Sequence, residues 1–406
     1  YNHNGNNGTQ RKSKRIYVVL LRCRRGEKFS NPMKRLALPL TLLLLACLAC
    51  GQSAVAPFPD PTYTPEASIF ESDRTAYGFF PTPPEVSLDS LFAHYRAMGQ
   101  HADVSLVQEV IPWADFVNGI EVESQKITDL QNARTLTLAN NLDSIYIVDP
   151  LNGLNRREFA GLPAGWEASF ANPDVRSAYK NYTLRLVREF QPRYLGLASE
   201  INTYMEAHPE DAENFLSLYR ETYVAVKAEA PETQVFVTFQ WDQVSGLAMA
   251  APGAERQLDW AQIEIFEPQL DLWVISSYPF VAFRSGAEIP ADYYSPLLER
   301  TDKPLAVAEG GFVSRQTGHI PGTPQDQVDY LNAIQSQIGG PRLKFWIYLL
   351  LSDLNEASYK KFMRQQGIKE EDITTLGFFV NVGLLEKDGQ TPKPALAVWD
   401  SYRQAP

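Results

Sequence analysis

The sequence predicts an α/β chain folded as a single (β/α)8 TIM barrel, and three observations carry the prediction. Eight short β-rich apolar runs lie between residues 76 and 350. Each ends on polar or aromatic residues and is followed by a longer segment with apolar residues at helical spacing, the alternation of a parallel sheet wrapped in helices. No glycine-rich phosphate loop follows any run, which argues against the doubly wound open sheet that shares this alternation.

In order, the predicted strands are "AYGFF" (76–80), "DVSLVQEV" (103–110), "SIYIVD" (144–149) and "RYLGLAS" (193–199). The other four are "QVFVTF" (234–239), "LWVISSY" (272–278), "PLAVAE" (304–309) and "LKFWIYLL" (343–350). Two intervening helices announce their starts: Ser87 is placed to cap 88–101, and Asn172 before Pro173 opens 173–190. The longest gap follows the third strand, holds "PLNGLNRREFAGLPAGWEASF", and reads as a functional loop.

The barrel is expected to fill residues 73–406, behind three shorter segments. Residues 1–32 read as a spurious upstream or disordered leader, since the chain begins with Tyr1 and its first methionine is Met33. Met33 opens "MKRLALPLTLLLLACLACG", with Lys34 and Arg35 before an apolar stretch that closes on small residues and cysteines. That is the layout of a lipoprotein-type signal peptide over 33–50, and the apolar stretch is short for a membrane span. Both "LLAC" and "CLAC" resemble a bacterial lipobox, so lipidation is expected at Cys47 or at Cys50. Cys47 has the better preceding leucine, and Cys50 the more typical following glycine. Residues 51–72, rich in proline and small residues, read as a tether. The expected location is therefore the bacterial cell envelope, with membrane contact through the lipid alone.

Composition narrows the chemistry. Cys23, Cys47 and Cys50 are the only cysteines, so the barrel holds neither a disulfide framework nor a cysteine metal site. The five histidines form no HExxH pattern, and no GxSxG elbow occurs, which argues against a metallohydrolase and a serine hydrolase. No cofactor is expected. After residue 35 the chain carries 27 Lys and Arg against 47 Asp and Glu. A body that acidic repels nucleic acid and anionic lipid, so its partner is expected to be neutral or cationic, and the chain a monomer.

The stretch "YLGLASEINTY" (194–204) points to a site, because an apolar strand ends there on a carboxylate, Glu200. An unpaired charge in such a place is costly and calls for a reason. "DKPLAVAEGGF" (302–312) supplies a second case, with Glu309 closing the seventh strand. Strands four and seven face each other across a closed eight-stranded barrel, and chemistry gathers at the carboxyl ends of its strands. Two carboxylates there suit glycosidic bond cleavage, one donating a proton and the other attacking or stabilising the anomeric carbon. Glu109 and Asp149 end strands two and three, as sugar-hydroxyl ligands or as structural and solvated charges. Trp113, Trp166 and Trp241 follow strands two, three and five, either to stack on sugar faces or to pack in the core. Asn202 and Tyr204 either line the site or begin a helix.

These features resemble the clan-A retaining glycoside hydrolases, whose acid/base follows strand four and whose nucleophile follows strand seven. "KPLAVAEGGF" is similar to the nucleophile strand "KPxxxTExG" of that clan. "VISSYPF" puts Tyr278 where relatives carry a tyrosine that hydrogen-bonds the nucleophile, and "FWIYLL" puts Trp346 where they carry a tryptophan beneath the sugar. "GLLEKDGQTPKPALAVW" (383–399) resembles the close of many such enzymes. Two departures stand out. Ser199 occupies the position of an asparagine that contacts the sugar 2-hydroxyl, and Gln240, Trp241 and Asp242 stand where a histidine is often found. The resemblance implies a retaining β-glycosidase, endo-acting on a plant or microbial polysaccharide, with Glu200 as general acid/base and Glu309 as nucleophile. The rival reading is a non-catalytic carbohydrate-binding surface lipoprotein on the same barrel.

Overall fold

The computed structural model describes residues 68–248 and 254–405. The leader, the signal-like segment, both candidate lipidation cysteines and most of the tether lie outside these residues. The eight strands are β1 (Ala76–Phe79), β2 (Val104–Val110), β3 (Asp143–Asp149), β4 (Tyr194–Gly196), β5 (Gln234–Phe236 and Thr238–Gln240), β6 (Trp273–Ser277), β7 (Leu305–Gly310) and β8 (Leu343–Tyr348). All pair in parallel with their sequence neighbours, and β1 pairs with β8 (Tyr77 opposite Trp346). The sheet opens only where β5 skips Val237, and the ladder continues across that break. Leu197 N donates to Phe236 O at 2.8 Å, and Thr238 N to Ala198 O at 3.1 Å. The barrel is closed.

Each strand lies on its predicted run, overrunning an end by one residue at most, and a helix follows each of them. Ser87 caps Leu88–His101 by accepting from Ser90 N, and Asn172 caps Pro173–Phe190 by accepting from Asp174 N. Such caps satisfy backbone donors that a helix start leaves without partners. The chief addition is after β3. There the segment expected to be a functional loop folds into a hairpin, Leu151–Asn152 with Asn155–Phe159. After β8, two further helices, Glu356–Gln365 and Glu370–Leu376, precede the last one, Pro394–Arg403.

Aromatic rings fill the amino-terminal end of the barrel. Phe345 of β8 lies 5.2 Å from Tyr194 and 5.8 Å from Phe236, ring centre to ring centre. Phe70 closes that end edge-on against Tyr194. Ser68 Oγ and Ile69 N bind Asp143 at 2.8 and 2.9 Å, so the last residues expected in the tether are fastened to the barrel floor. The chain thus enters at the end opposite the mouth.

Candidate active site

Each candidate carboxylate sits where its strand loses regularity. Beyond β4, Glu200 takes left-handed dihedrals (φ 47°, ψ 42°) as it opens the helix Ile201–Ala207. For a non-glycine residue that costs about 1–3 kcal/mol and persists only when the surroundings hold it. Here its backbone N donates to Thr238 Oγ1 of β5 at 2.7 Å. Glu309 follows a bulge, because the pairing of β6 with β7 shifts between Val307 and Glu309. Bulges re-aim side chains at barrel rims. Gly310 lets the strand continue: a Cβ there would lie 2.6 Å from Ser277 O and closer still to Tyr330 Oη.

Arg156, from the hairpin after β3, joins the two glutamates. Its Nη1 lies 2.5 Å from Asp149 Oδ2, its Nε 3.2 Å from Glu200 Oε2, and its Nη2 3.6 Å from Glu309 Oε2. Nη2 also donates to Ser199 Oγ at 3.2 Å. One guanidinium therefore spans three carboxylates, and all four side chains are buried. Tyr278 Oη donates to Glu309 Oε1 at 2.5 Å, while Oε2 accepts no hydrogen bond among the described residues. Glu200 Oε1 accepts from Ser276 Oγ. Asp149 is steadied by Gln108 Nε2 at 2.8 Å and by Leu151 N at 3.1 Å.

The electrostatics follow from that crowding. Burial, then the facing Glu200 carboxylate, push Glu309 up to about 7, against the downward pull of Arg156 and the Tyr278 hydroxyl. Burial raises Asp149 as well, with Arg156 opposing it. Arg156 itself is held firmly protonated, because its three carboxylates outweigh the cost of burying it. Like charges brought close in a low-dielectric site retain a proton into the neutral range.

No family model matches the chain, and no curated protein matches it. Solved structures do. A GH5_18 protein from Streptomyces cattleya, crystallised in complex with Manb1-4GlcNAc, is 19% identical over 82% of both chains, with a TM-score of 0.57. GH5_18 from Bifidobacterium longum subsp. longum is 14% identical over 82% of this chain and 80% of its own, at 0.55. The exo-beta-1,4-mannosidase Op5Man5 from Opitutaceae bacterium strain TAV5 is 14% identical over 86% of this chain and 62% of its own, at 0.56. These likenesses show the fold, a (β/α)8 barrel.

Of the residues singled out in the sequence, the barrel brings together Glu200, Glu309, Tyr278, Ser199 and Asp149. Others lie elsewhere. Trp346 points outward: alternation along β8 puts Phe345 inside, and the Trp346 ring packs with Tyr77, Trp399 and Tyr402 beneath the last helix. It therefore does not floor a sugar site. Glu109 is paired with Lys126 of the helix Gln125–Ala139 at 2.9 Å. Trp113 and Trp241 are fully buried and donate to Ala160 O and Tyr293 O, so they anchor loops. Asn202 ties its helix to β5 by exchanging bonds with the Gln240 backbone. Tyr204 donates to Asp211 within an aromatic cluster.

Asp242, fully buried and pushed up to about 6 by burial, accepts from Tyr278 N at 2.9 Å and Tyr293 Oη at 2.6 Å. It therefore holds the loop that presents Tyr278. Four site residues were not legible in the sequence: Arg156, Ser276, Thr238 and Gln108. Only Arg156 left a trace, since "LNGLNRREF" carries the Asn-Gly signal of a hairpin and period-two alternation separates Arg156 from its exposed neighbour Arg157.

Proposed function

We propose that the chain is a retaining β-glycosidase, with Glu309 as nucleophile and Glu200 as general acid/base. The observation that carries this reading is the asymmetric setting of Glu309. Tyr278 pins one of its oxygens, while the other, free of hydrogen bonds among the described residues, faces the guanidinium that also touches Glu200. A nucleophilic carboxylate needs that arrangement: one oxygen orients it and the other attacks. The separation of the two carboxyl groups distinguishes direct attack from attack by an intervening water. Retaining pairs sit about 5–5.5 Å apart, and inverting pairs about 6.5–9.5 Å.

In the proposed reaction Glu200 gives its proton to the leaving oxygen as Glu309 bonds to the anomeric carbon. Glu200 then takes a proton from the water that releases the sugar. Arg156 lies between the two carboxylates, so a bound sugar has to shift its guanidinium toward Asp149. Three carboxylates against one cation favour a neutral sugar over an acidic one. Anchoring through Cys47 or Cys50 would hold this activity at the cell envelope.

Glu309→Ala is expected to reduce turnover of aryl β-glycosides by at least about a thousandfold. External azide or formate should partly restore it, with inverted product. Wild-type turnover in that variant, assayed with the same glycosides, overturns the assignment. The binding-protein reading keeps one specific support, the ion pairing of both glutamates by Arg156. It predicts saccharide affinity with no new reducing ends.

A further inference from the structure

The loops at the barrel mouth are fastened to one another, and the fastening bears on which substrates reach Glu200 and Glu309. The insertion after β8 is held on several sides. Against the β3 hairpin, Asn152 Nδ2 donates to Asp372 Oδ2 at 3.0 Å with both side chains buried, and Lys369 Nζ lies 2.6 Å from Glu158 Oε2. Against the loops after β6 and β7, the Phe379 ring packs edge-on to Tyr278 at 5.0 Å, and Ser314 N donates to Asn381 O at 2.9 Å. Against the loop after β1, Asn355 N donates to Pro84 O at 2.7 Å, and Tyr359 Oη bonds Pro83 O.

The hairpin is fastened in turn to its neighbours. Trp113 Nε1, after β2, donates to Ala160 O at 2.7 Å, and His208, after β4, meets Arg157 O at 2.8 Å. The segment after β5 joins through Asp242, which accepts from Tyr278 N. Every strand-end segment is thus linked into a single rim. Beneath that rim Glu200 and Glu309 are only 8% and 9% exposed.

A polysaccharide cut in mid-chain must lie across the mouth, with sugars continuing away on both sides. A rim joined from β6 through β8 and β1 to β4, over carboxylates that are only 8% and 9% exposed, argues against such a passage. We infer that the site is a one-ended pocket that takes a short neutral glycoside or the terminal sugar of a chain, and not the interior of a polymer. The inference rests on the glycosidase reading and replaces the endo action expected from the sequence.

Two measurements test it. In the first, the wild-type chain is given reducing-end-labelled β-linked gluco-, manno- and galacto-oligosaccharides and the parent polymers. The expected result is loss of one terminal sugar at a time, with no early fall in polymer viscosity. Internal fragments from the first minutes overturn the inference. The second measurement needs no turnover: calorimetric titration of the Glu309→Gln variant with the same oligosaccharides in order of length. A pocket gives an affinity that stops rising after the first few sugars, and polymer binding in proportion to chain ends. Affinity that grows with every added sugar overturns it, as does absence of any binding. Pocket-type binding without cleavage by the wild type refutes the glycosidase reading alone, whereas mid-chain cleavage refutes the pocket alone.

Discussion

Arg156 is the residue whose removal tells most about the chemistry. It pulls Glu309 down while burial and Glu200 push it up to about 7. Replacing Arg156 with methionine removes the cation and leaves the two upward influences. Glu309 then loses its proton only at higher pH, so the bare carboxylate needed for attack appears later as pH rises. The acidic limb of kcat/KM should move up by about one pH unit. Arg156→Lys keeps a charge but not the planar fork, so it should hold the limb near its wild-type position with a lower maximum. A purely structural arginine would lower stability in both variants and leave the limb where it was. The pH profile, measured beside the unfolding midpoint, separates the two. Ser199 belongs to the same cluster, since its hydroxyl accepts from Arg156 and pairs with Thr238. At the position where the resemblance leads one to expect an asparagine, Ser199 helps hold the guanidinium.

At the scale of single elements, what the sequence discloses depends on periodicity. All eight strands were legible because apolar runs with flanking polar residues mark buried parallel strands. Glu200 and Glu309 were legible because a carboxylate interrupts such a run. The inward or outward aim of Trp346 was not: a strand buried on both faces has apolar residues at every position, so the alternation is silent. The same silence hid the bulge before Glu309, although "EGG" hinted at it. Gly310 allows the strand to pass Ser277 and Tyr330 without a side chain. Gly310→Ala should therefore force β7 away from β6, costing about 1–3 kcal/mol in a packed interior. Glu309 would swing with the strand, so kcat should fall more than KM rises. Urea unfolding and steady-state kinetics on that variant check both parts. An alanine variant with wild-type stability and kcat would mean that the bulge does not set the aim of Glu309.

For the whole molecule, the two ends of the barrel carry different duties, and the entry of the chain gives them an orientation. Ser68, Ile69 and Phe70 are fastened to the floor, through Asp143 and Tyr194, while the carboxylates open at the other end. If residues 51–67 act as the tether expected from the sequence, the barrel would be held by its floor, with the mouth at the opposite end. This fits the proposed anchoring: a lipid at Cys47 or Cys50 would hold the acidic barrel off an anionic surface and turn its site outward. A diacylglyceryl thioether with an added amino-terminal acyl chain provides more than one lipid, and stable attachment generally takes two lipid signals. No helix among the described residues is long and apolar enough to cross a membrane. Attachment should then rest wholly on the two cysteines. Replacing both Cys47 and Cys50 with serine should move the protein from the membrane to the soluble fraction with its catalytic constants unchanged. Each single replacement identifies which cysteine carries the lipid. Retention of the double variant in washed membranes would show that something other than a thioether holds the chain there.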